Sequence, residues 1–522
     1  MNARNAFNST LADITIPDRP LTEHVLGKAA SMPDAIAMMD GATGETHSFA
    51  ELSDAIHRLA GGFAALGVVP GTTVALMAPN MPAFAIVFHA VAVCGAAVTT
   101  INPTYGAEEI RYQLDNADAL LLVTVPAFLD AATKAVDGST VRELLLIGEA
   151  VGHRSIDDIA AAPMAQVPLH TAETIVVLPY SSGTTGLPKG VMLTHRNLVA
   201  NIEQTNAVLV NEPGQKALAV LPFFHIYGMQ ALMNSLLADG VTVITLPRFD
   251  MVQVLTLIEK HRIEHLYAVP PIILGLARAP VVDAHDLSSL QRVICAAAPL
   301  GAELAIEAST RIGCTVSQAY GMTELSPVSH GTPAGQDKPG SSGVAAPATT
   351  CRVIGEDGCD RGIDEVGELL VRGPQVMKGY LGNDKATAET IDADGWLHTG
   401  DVVRIDADGH LFVVDRVKEL IKVKGFQVAP AELEAVLVTH PAIADVAVIG
   451  MPDEEAGERP KAFVVLAEGQ QATAADISAF LAEHVAHYKQ VDAIVFTDAI
   501  PKSASGKILR RLLRDEPVVS RA

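Results

Sequence analysis

The spacing of apolar residues divides the chain into helical and extended segments. Over residues 49–67 apolar side chains recur every three or four positions and the run ends in a glycine, which predicts an amphipathic helix capped by Gly67. Short apolar runs with the length of buried strands lie at residues 74–77, 118–125, 143–147, 175–178, 217–221, 242–246 and 266–269. Because helical patterns separate these runs, they predict doubly wound sheets of the α/β class, with residues 148–173 as a connection.

One apolar segment, residues 83–101, is long enough to resemble a membrane span. It is rich in Ala and Val, contains His89 and Gly95, and lies between Pro82 and Pro103. We interpret it as a buried helix followed by a strand over residues 97–101, so no membrane span is expected.

The pattern changes twice towards the C-terminus. Residues 337–372 are Gly-rich and β-biased, which predicts a small β-barrel or sheet with strands over 350–354 and 367–371. Beyond Asp415, a basic run at 416–424 precedes helical patterns over 431–440 and 476–485 and strand patterns over 444–450 and 461–466. We predict a large N-terminal domain over residues 1–416 and a small α+β C-terminal domain over residues 417–522.

Composition and charge narrow the function classes. The chain carries 37 Lys+Arg and 60 Asp+Glu, a net charge of −23, which argues against a nucleic-acid partner. Its 5 cysteines form no CxxC pair, as is typical of a reduced protein. The N-terminus lacks the apolar core of a signal peptide, and the C-terminal Ser-Arg-Ala is not a peroxisomal signal. We therefore expect a cytoplasmic protein.

The most informative segment for function is residues 178–194, Leu-Pro-Tyr-Ser-Ser-Gly-Thr-Thr-Gly-Leu-Pro-Lys-Gly-Val-Met-Leu-Thr. It follows a predicted strand and precedes a helical pattern near His195, and it offers backbone N–H groups, hydroxyls and one lysine to phosphate oxygens. Its glycine and lysine spacing differs from that of the P-loop, so a different nucleotide chemistry is implied. A surface linker is the alternative, but the Pro-Lys-Gly ending and the flanking apolar runs favour phosphate binding. The candidate residues are Ser181, Ser182, Gly183, Thr184, Thr185, Gly186 and Lys189.

Two further segments carry groups suited to a nucleotide and its partner. In Gln318-Ala-Tyr-Gly-Met-Thr-Glu324, Tyr320 can stack on a purine, Thr323 can hydrogen-bond a phosphate, and Glu324 is a hard oxygen ligand suited to Mg²⁺. Taken alone, Thr-Glu is equally typical of a helix start. His225 follows a predicted strand, where α/β proteins place ligands, although a histidine there is often structural.

Residues 181–191 closely resemble the phosphate-loop signature of the adenylate-forming enzymes, a superfamily of acyl-CoA synthetases, 4-coumarate:CoA ligases, luciferases and peptide-synthetase adenylation domains. Residues 320–324 match a second signature, Tyr-Gly-x-Thr-Glu, and further matches lie at 396–401, 415–427 and 500–510. The unbroken phosphate loop and the Val-Ala-Pro-Ala-Glu after Gln427 are most similar to the 4-coumarate:CoA ligase and luciferase branch. At 367–373 the chain reads Gly-Glu-Leu-Leu-Val-Arg-Gly, without the cysteine of the plant ligases.

The resemblance implies a role for each matching position. The phosphate loop binds ATP and AMP together with Gln318, Ala319, Tyr320 and Thr323. Thr184 and Glu324 hold Mg²⁺. Asp401 accepts the ribose hydroxyls, Arg416 adds a donor, and Lys418 marks a hinge. The remaining roles are adenylate contact by Lys422 and Gln427, CoA binding by Lys424 and Gly425, guarding of the acyl pocket by His225, and contact of Lys507 with the acyl carboxylate and α-phosphate.

The implied reaction has two steps. A carboxylic acid attacks the α-phosphate of Mg·ATP to give an acyl-AMP, and the thiol of CoA then displaces AMP. Both steps depend mainly on positioning and charge neutralisation. Since one small domain has to present Lys507 first and Lys424 with Gly425 second, the resemblance implies a mobile C-terminal domain.

The positions that match the acyl pocket of plant ligases are Tyr227, Ile294, Ala296, Ala297, Ala319, Gly321, Pro327 and Val328. Plant enzymes commonly carry Lys where Ile294 stands and Gly where Ala296 and Ala319 stand. The added methyl groups narrow the pocket, and the lost lysine removes a polar partner for a ring hydroxyl. We predict a preference for cinnamate, or a similarly slim medium-chain acid, over 4-coumarate.

Other functions make different predictions. A fatty acyl-CoA ligase would prefer alkyl acids in a panel of acids of increasing chain length. A peptide-synthetase domain would carry an aspartate near residues 223–228, which this chain lacks. A luciferase shares every motif and would emit light with luciferin and O₂. An ATP-binding regulator would release no pyrophosphate in response to acids.

Overall fold

The structure is a computed structural model that describes residues 6–181, 188–424, 426–453, 456–503 and 506–514. Most of its strands belong to the two large sheets of the N-terminal part. Helices and short buried strands alternate there, as the apolar pattern predicts. The helix Phe49–Ala65 begins with a capping box between Ser48 and Glu51 and ends before Gly67, whose φ is +87°.

The first sheet has a parallel centre and an antiparallel edge. The antiparallel edge carries the ends of the predicted phosphate loop. In spatial order its strands are Tyr180–Ser181, Lys189–Thr194, Ile175–Val177, Ala97–Thr100, Thr73–Met77, Ala119–Thr124, Glu143–Leu146 and Arg154–Ser155, and Gly379–Tyr380 also pairs with Lys189–Thr194.

The second sheet is parallel from Val316–Gly321 to Ile36–Asp40 and antiparallel at both edges. In spatial order its strands are Val344–Ala345, Val328–Gly331, Val316–Gly321, Arg292–Cys295, His265–Ala268, Lys216–Ala219, Thr242–Thr245, Ile36–Asp40 and Thr46–Ser48. The carboxyl ends of parallel strands meet at one edge, where α/β proteins bind ligands.

A third sheet, antiparallel throughout, occupies the region for which the sequence predicts a small barrel or sheet. Its strands follow one another in the linear order Phe7–Asn8, Thr350–Ile354, Gly367–Arg372, Leu397–Ile405 and Leu411–Arg416. The participation of Phe7–Asn8 joins the start of the described chain to this sheet.

The C-terminal part has its own sheet and its own apolar core. Its strands lie in the order Phe426–Val428, Ile421–Val423, Gly457–Leu466 and Ile443–Asp453, and Ala493–Phe496 runs parallel to Gly457–Leu466. The helices Pro430–Leu437 and Ala474–His484 supply Leu433, Leu437, Ile477 and Leu481 to the core. The predicted α+β pattern is confirmed here.

The remaining α-helices connect or cover the sheets. They are Leu21–Val25, Pro82–Val93, Ala107–Asn116, Leu129–Val136, Ile156–Ile159, His195–Val208, Ser235–Asp239, Met251–His261, Pro270–Arg278, Ala302–Ile312, Asp384–Thr390 and Arg510–Arg514. A π-helix, Tyr227–Asn234, leads into Ser235–Asp239. The connection at 148–173 contains a short strand and the helix Ile156–Ile159, which the sequence pattern does not show.

The apolar segment that resembles a membrane span is a buried helix and a strand. Eleven residues of the helix Pro82–Val93 are buried, because it packs inside the core that fills the space around the two large sheets. The strand Ala97–Thr100 follows it, as predicted. Among the residues that the structure describes, no helix is both long and apolar enough to cross a membrane.

Candidate active site

The two ends of the predicted phosphate loop lie side by side in an antiparallel hairpin. Ser181 pairs with Lys189, and Tyr180 pairs with Gly190. The tip of the loop lies outside the described residues, and with it Ser182, Gly183, Thr184, Thr185 and Gly186. Their roles stay predictions.

Glu324 joins the second motif to the first. It lies in the 3-10 helix Thr323–Leu325 and is 5% exposed. Its Oε1 accepts a hydrogen bond from Ser181 Oγ at 2.8 Å, across 143 residues of sequence. Tyr380 donates its hydroxyl to the same oxygen, also at 2.8 Å. Both hydrogen bonds fall on Oε1, and a carboxylate is a hard oxygen ligand of the kind that suits a divalent cation.

Tyr380 also connects this carboxylate to the lysine of the loop. Lys189 Nζ lies 4.9 Å from the centroid of the Tyr380 ring, within the range of a cation–π contact. The pairing of Gly379–Tyr380 with Lys189–Thr194 sets this contact, with Tyr380 opposite Val191. Sequence reasoning missed Tyr380, because a single Gly-Tyr pair gives no signal of a contact made through distant strands.

The predicted ribose clamp is formed by three side chains from two sheets. Asp401 and Arg416 face each other on neighbouring strands of the third sheet, and Arg416 Nε lies 3.0 Å from Asp401 Oδ1. The hydroxyl of Tyr320, at the end of a second-sheet strand, donates to Asp401 Oδ2 at 2.6 Å. Burial and the neighbouring Asp401 carboxylate raise the pKa of Tyr320 well above its usual value, so its hydroxyl remains a donor.

Gln318, Ala319 and Thr323 lie beside these groups in different settings. The amide of Gln318 donates to the carbonyl of Leu300 and accepts from its N–H, both at 3.1 Å. Gln318 therefore fixes the loop after Cys295, and Ala319 follows it in the same strand. Thr323 is half-buried and begins the short helix that carries Glu324.

Lys507 reaches this site from the C-terminal part. Its N–H donates to Ser503 Oγ at 3.1 Å, and an added Cβ at Gly506 would lie 3.3 Å from Val269 at the end of a second-sheet strand. Burial, with the positive charge of Arg416, lowers the pKa of Lys507 to about 8, while Asp401, Glu324 and Glu419 act in the opposite direction. The lysine thus lies in the electrostatic field of both the ribose clamp and Glu324.

His225 lies just before the π-helix Tyr227–Asn234, an uncommon element that often marks functional sites. Its Nδ1 accepts a hydrogen bond from the Tyr227 N–H at 3.3 Å. Burial and the charge of Lys507 lower the pKa of His225 to about 4, so the imidazole is neutral at pH 7. It can therefore orient a carboxylate by hydrogen bonding without adding a charge.

The residues matched to an acyl pocket gather where parallel strands of the second sheet end. Ile294 lies in the strand Arg292–Cys295, and Ala296 and Ala297 follow it. The hydroxyl of Tyr227 donates to the Ile294 carbonyl at 3.2 Å, and both residues are buried. Ala297 has a φ of +73°, in the left-handed region that disfavours residues with a Cβ.

The neighbouring hairpin supplies the other matched positions. Gly321 pairs with Val328, and Pro327 and Val328 are both buried. An added Cβ at Gly321 would lie 2.1 Å from the Pro327 carbonyl oxygen, so this close turn requires glycine.

Several predicted residues lie away from this site in the present arrangement. Lys422 and Gln427 are exposed cross-strand neighbours, and Gln427 Nε2 donates to Glu356 Oε1 at 2.7 Å. Lys418 and Lys424 are also exposed, and Gly425 lies outside the described residues. The structure therefore brings Lys507 to the nucleotide site while Lys422, Lys424 and Gln427 face solvent.

Contacts between the two parts of the chain hold this arrangement. Asp415 Oδ2 accepts from the N–H of Ala431 at 2.9 Å. Arg278 Nη1 donates to the Val438 carbonyl at 3.0 Å and also pairs with Glu307 at 3.1 Å. Sequence motifs give no sign of Arg278, since it lies in none of them.

A strand hairpin that closes a Gly-rich loop, a buried carboxylate and the Asp401, Arg416 and Tyr320 cluster at strand ends are together typical of a nucleotide-binding enzyme. Comparison with protein-family profiles identifies the family to which the chain belongs. The profile described as AMP-binding enzyme matches residues 27–381, and the one described as AMP-binding enzyme C-terminal domain matches residues 432–507. The chain belongs to the AMP-binding enzyme family, which confirms the resemblance to adenylate-forming enzymes.

Individual relatives agree with this assignment along almost the whole chain. The chain is 42% identical to 4-coumarate–CoA ligase 5 of Oryza sativa subsp. japonica, over 97% of this chain and 96% of the relative. It is similar in structure to the anthranilate CoA ligase AuaEII in complex with anthranoyl-AMP, with a TM-score of 0.89, 25% identity, and coverage of 96% and 97%. It is also similar to ATP-bound MatB from Rhodopseudomonas palustris, with a TM-score of 0.87, 29% identity, and coverage of 95% and 98%.

Proposed function

We propose that the protein is an ATP-dependent, AMP-forming ligase that joins a slim aryl carboxylic acid to coenzyme A through an acyl-adenylate. The observation that carries this proposal is that the charges of Asp401 and Glu324 both act on buried Lys507, which supports a role for this lysine at an α-phosphate bound between them. The 4-coumarate–CoA ligase and the anthranoyl-AMP complex among its relatives support the same chemistry.

In the first step, a carboxylate oxygen of the acid bonds to the α-phosphorus and the bond to the bridging oxygen breaks, releasing pyrophosphate. Lys507 stabilises the negative charge that develops on the α-phosphate and on the acid. His225 stays neutral and orients the acid carboxylate. Asp401 and Arg416 hold the ribose, which fixes the α-phosphate relative to the acid.

Glu324 is the described residue that we propose holds Mg²⁺, with Thr184 of the phosphate loop as a second ligand. Bound there, Mg²⁺ screens the charge of the triphosphate. The carboxylate is buried, and in the described part of the chain its side-chain hydrogen-bond donors are the Ser181 and Tyr380 hydroxyls on Oε1, which supports Oε2 as the oxygen that faces the cation.

In the second step, the thiol of CoA attacks the acyl carbon and AMP leaves. We propose that the domain boundary lies between residues 416 and 417, with a hinge near Lys418. Rotation there would withdraw Lys507 and bring Lys424 and Gly425 to CoA, and Lys422 with Gln427 towards the adenylate. Lys418, Lys422 and Lys424 are exposed. Their exposure supports the proposed rotation, because none of these side chains would have to leave a packed core.

We propose cinnamate as the preferred type of acid over 4-coumarate. Two features of the pocket support this preference. Ile294 is buried and apolar where a ring hydroxyl would need a polar partner. The Tyr227 hydroxyl already donates its proton to the Ile294 carbonyl, so a ring hydroxyl would have to compete for that acceptor. The methyl groups of Ala296 and Ala319 further limit the width.

The test is a comparison of kcat/KM for thioester formation from cinnamate, 4-coumarate and saturated acids of increasing length. Cinnamate is expected to be best, and Ala296→Gly to improve 4-coumarate relative to cinnamate. A higher value for 4-coumarate, or no effect of Ala296→Gly, contradicts the pocket assignment. A clear preference for a medium- or long-chain acid would favour a fatty acyl-CoA ligase.

We also propose a cytoplasmic location. All five cysteines are free thiols, and four of them are buried, which suits a reducing compartment. Fractionation of the source cells with an antibody to the protein tests this location.

A further inference from the structure

Tyr380 contacts both Glu324 and Lys189, which are proposed to serve Mg·ATP, and it lies outside every motif described in the sequence analysis. Its hydroxyl donates to Glu324 Oε1 at 2.8 Å, and its ring lies 4.9 Å from the ammonium of Lys189. The side chain is buried, and burial together with the Glu324 carboxylate raises its pKa above the usual value. The phenol is therefore a permanent hydrogen-bond donor at physiological pH.

The local structure fixes Tyr380 from three sides. Its N–H donates to Thr387 Oγ1 at 2.9 Å, and Thr387 belongs to the helix Asp384–Thr390. Gly379 has a φ of +148°, and an added Cβ there would lie 2.9 Å from the Thr387 side chain. This glycine allows the strand to approach the helix closely, and strand pairing with Val191 completes the support.

Both side-chain hydrogen bonds that Glu324 accepts within the described part of the chain end on one carboxylate oxygen. Ser181 and Tyr380 donate to Oε1, which leaves Oε2 without a side-chain donor among the described residues and so available to another ligand. The same tyrosine restrains Lys189 through its ring, so one side chain sets the position of a carboxylate and of an ammonium.

We propose that Tyr380 is a positioning residue that holds Glu324 and Lys189 in place for the metal-bound β- and γ-phosphates of ATP. This proposal rests on the proposed function, because it assigns Tyr380 to the Mg·ATP site. Among the described residues, no hydrogen bond or ring contact links the Tyr380 side chain to Asp401, Arg416 or the acyl-pocket residues, so its effect should be confined to ligands that carry the β- and γ-phosphates.

Tyr320 offers an internal comparison. It makes the corresponding bond at the other end of the nucleotide, from its hydroxyl to Asp401 Oδ2 at 2.6 Å. Loss of the Tyr320 hydroxyl should weaken AMP and Mg·ATP alike, since both ligands contain the ribose. Loss of the Tyr380 hydroxyl should weaken Mg·ATP and leave AMP unchanged.

The experiment measures the affinity of the full-length protein for Mg·ATP, for ATP with EDTA and for AMP, by isothermal titration calorimetry without acid or CoA. Tyr380→Phe keeps the ring over Lys189 and removes the hydroxyl. We expect Mg·ATP affinity about tenfold weaker, the loss typical of a hydrogen bond to a charged group, with AMP affinity unchanged. Tyr105→Phe, which removes a phenol oxygen outside the site, serves as the matched control, and thermal unfolding verifies that each variant is folded.

Two results overturn the positioning role. Mg·ATP affinity of Tyr380→Phe equal to that of the wild type shows that the hydroxyl does not position the metal–phosphate site. An equal loss of AMP affinity shows a general structural effect. If the wild type itself fails to bind Mg·ATP, the proposed function is overturned together with this inference, so the two failures are distinguishable.

Discussion

The carboxylate of Asp415, in the last strand of the third sheet, accepts a hydrogen bond from the backbone N–H of Ala431 in the C-terminal part, at 2.9 Å. Ala431 lies in the first turn of the helix Pro430–Leu437, whose free N–H groups favour an acceptor. Asp415 is buried and precedes Arg416 of the ribose clamp. One side chain thus ties the nucleotide site to the domain that carries Lys507.

Replacement of Asp415 should separate the two half-reactions. Asp415→Ala removes the acceptor for Ala431 and for the Arg416 N–H, so the arrangement that presents Lys507 is less favoured. We expect acid-dependent pyrophosphate exchange to fall about tenfold and thioester formation from supplied acyl-adenylate to change less than about threefold, as for a conformational step. Asp476→Ala is the control, because Asp476 bonds the helix start at Thr473 within the C-terminal part. Equal losses in both half-reactions would refute this role.

The pH dependence of adenylation should report Lys507. Its pKa is lowered to about 8 by burial and by Arg416, and the protonated form is the one that stabilises the phosphate charge. At pH 7 roughly nine-tenths of the lysine is protonated, and above pH 8 the rate should fall about tenfold per pH unit. The measurement is kcat/KM for ATP in pyrophosphate exchange from pH 6 to 10.

Lys507→Arg provides the control for this profile. Arginine keeps its charge over the whole range, so the variant should be slower yet lack the decline near pH 8. An identical alkaline limb in wild type and Lys507→Arg would assign the titration to another group.

Removal of the Tyr227 hydroxyl should change acid selectivity. In the wild type this hydroxyl donates a hydrogen bond to the Ile294 carbonyl oxygen at 3.2 Å. Tyr227→Phe frees the carbonyl to accept from the ring hydroxyl of 4-coumarate and creates space beside it. We expect the ratio of kcat/KM for cinnamate over 4-coumarate to fall about fivefold, the value of one neutral hydrogen bond. A ratio that stays constant or rises would show that the ring hydroxyl does not reach this carbonyl.

Ala297 is predicted to carry backbone strain beside the acyl pocket. Its φ of +73° costs a residue with a Cβ about 1 kcal/mol or more, and glycine relieves that cost. Ala297→Gly should raise the free energy of unfolding by about 0.5 kcal/mol after the entropy cost of glycine is included. Ala298→Gly, at a residue outside the left-handed region, should lower it by a similar amount. Urea unfolding curves measure both, and a destabilised Ala297→Gly would contradict the strain.

The secondary structure of the two large sheets could be predicted from sequence because buried strands and amphipathic helices have distinct apolar spacing. The buried helix Pro82–Val93 and the strand Ala97–Thr100 confirm that reasoning. The short strands at the edges of the sheets were harder to predict. Phe7–Asn8 and Gly379–Tyr380 are two-residue strands whose pairing depends on partners distant in the sequence, and so short a run has no measurable period.

For the candidate site too, some residues could be predicted from the sequence and others could not. The signatures identify Glu324, Asp401, Arg416 and Lys507 because each stands in a distinctive run. They do not identify Tyr380, Asp415 or Arg278 as contacts, since these connections arise from tertiary packing between separate elements. They also do not specify which of the C-terminal residues is at the site at one time, because the proposed reaction uses the small domain in two arrangements.

The most direct test of this account is the detection of AMP from the purified protein supplied with Mg²⁺, ATP, CoA and cinnamate. The account predicts that AMP, pyrophosphate and cinnamoyl-CoA form in equal amounts, and that Lys507→Ala abolishes all three. A protein that produces no AMP with cinnamate or with any other acid of an aryl and alkyl panel would contradict it.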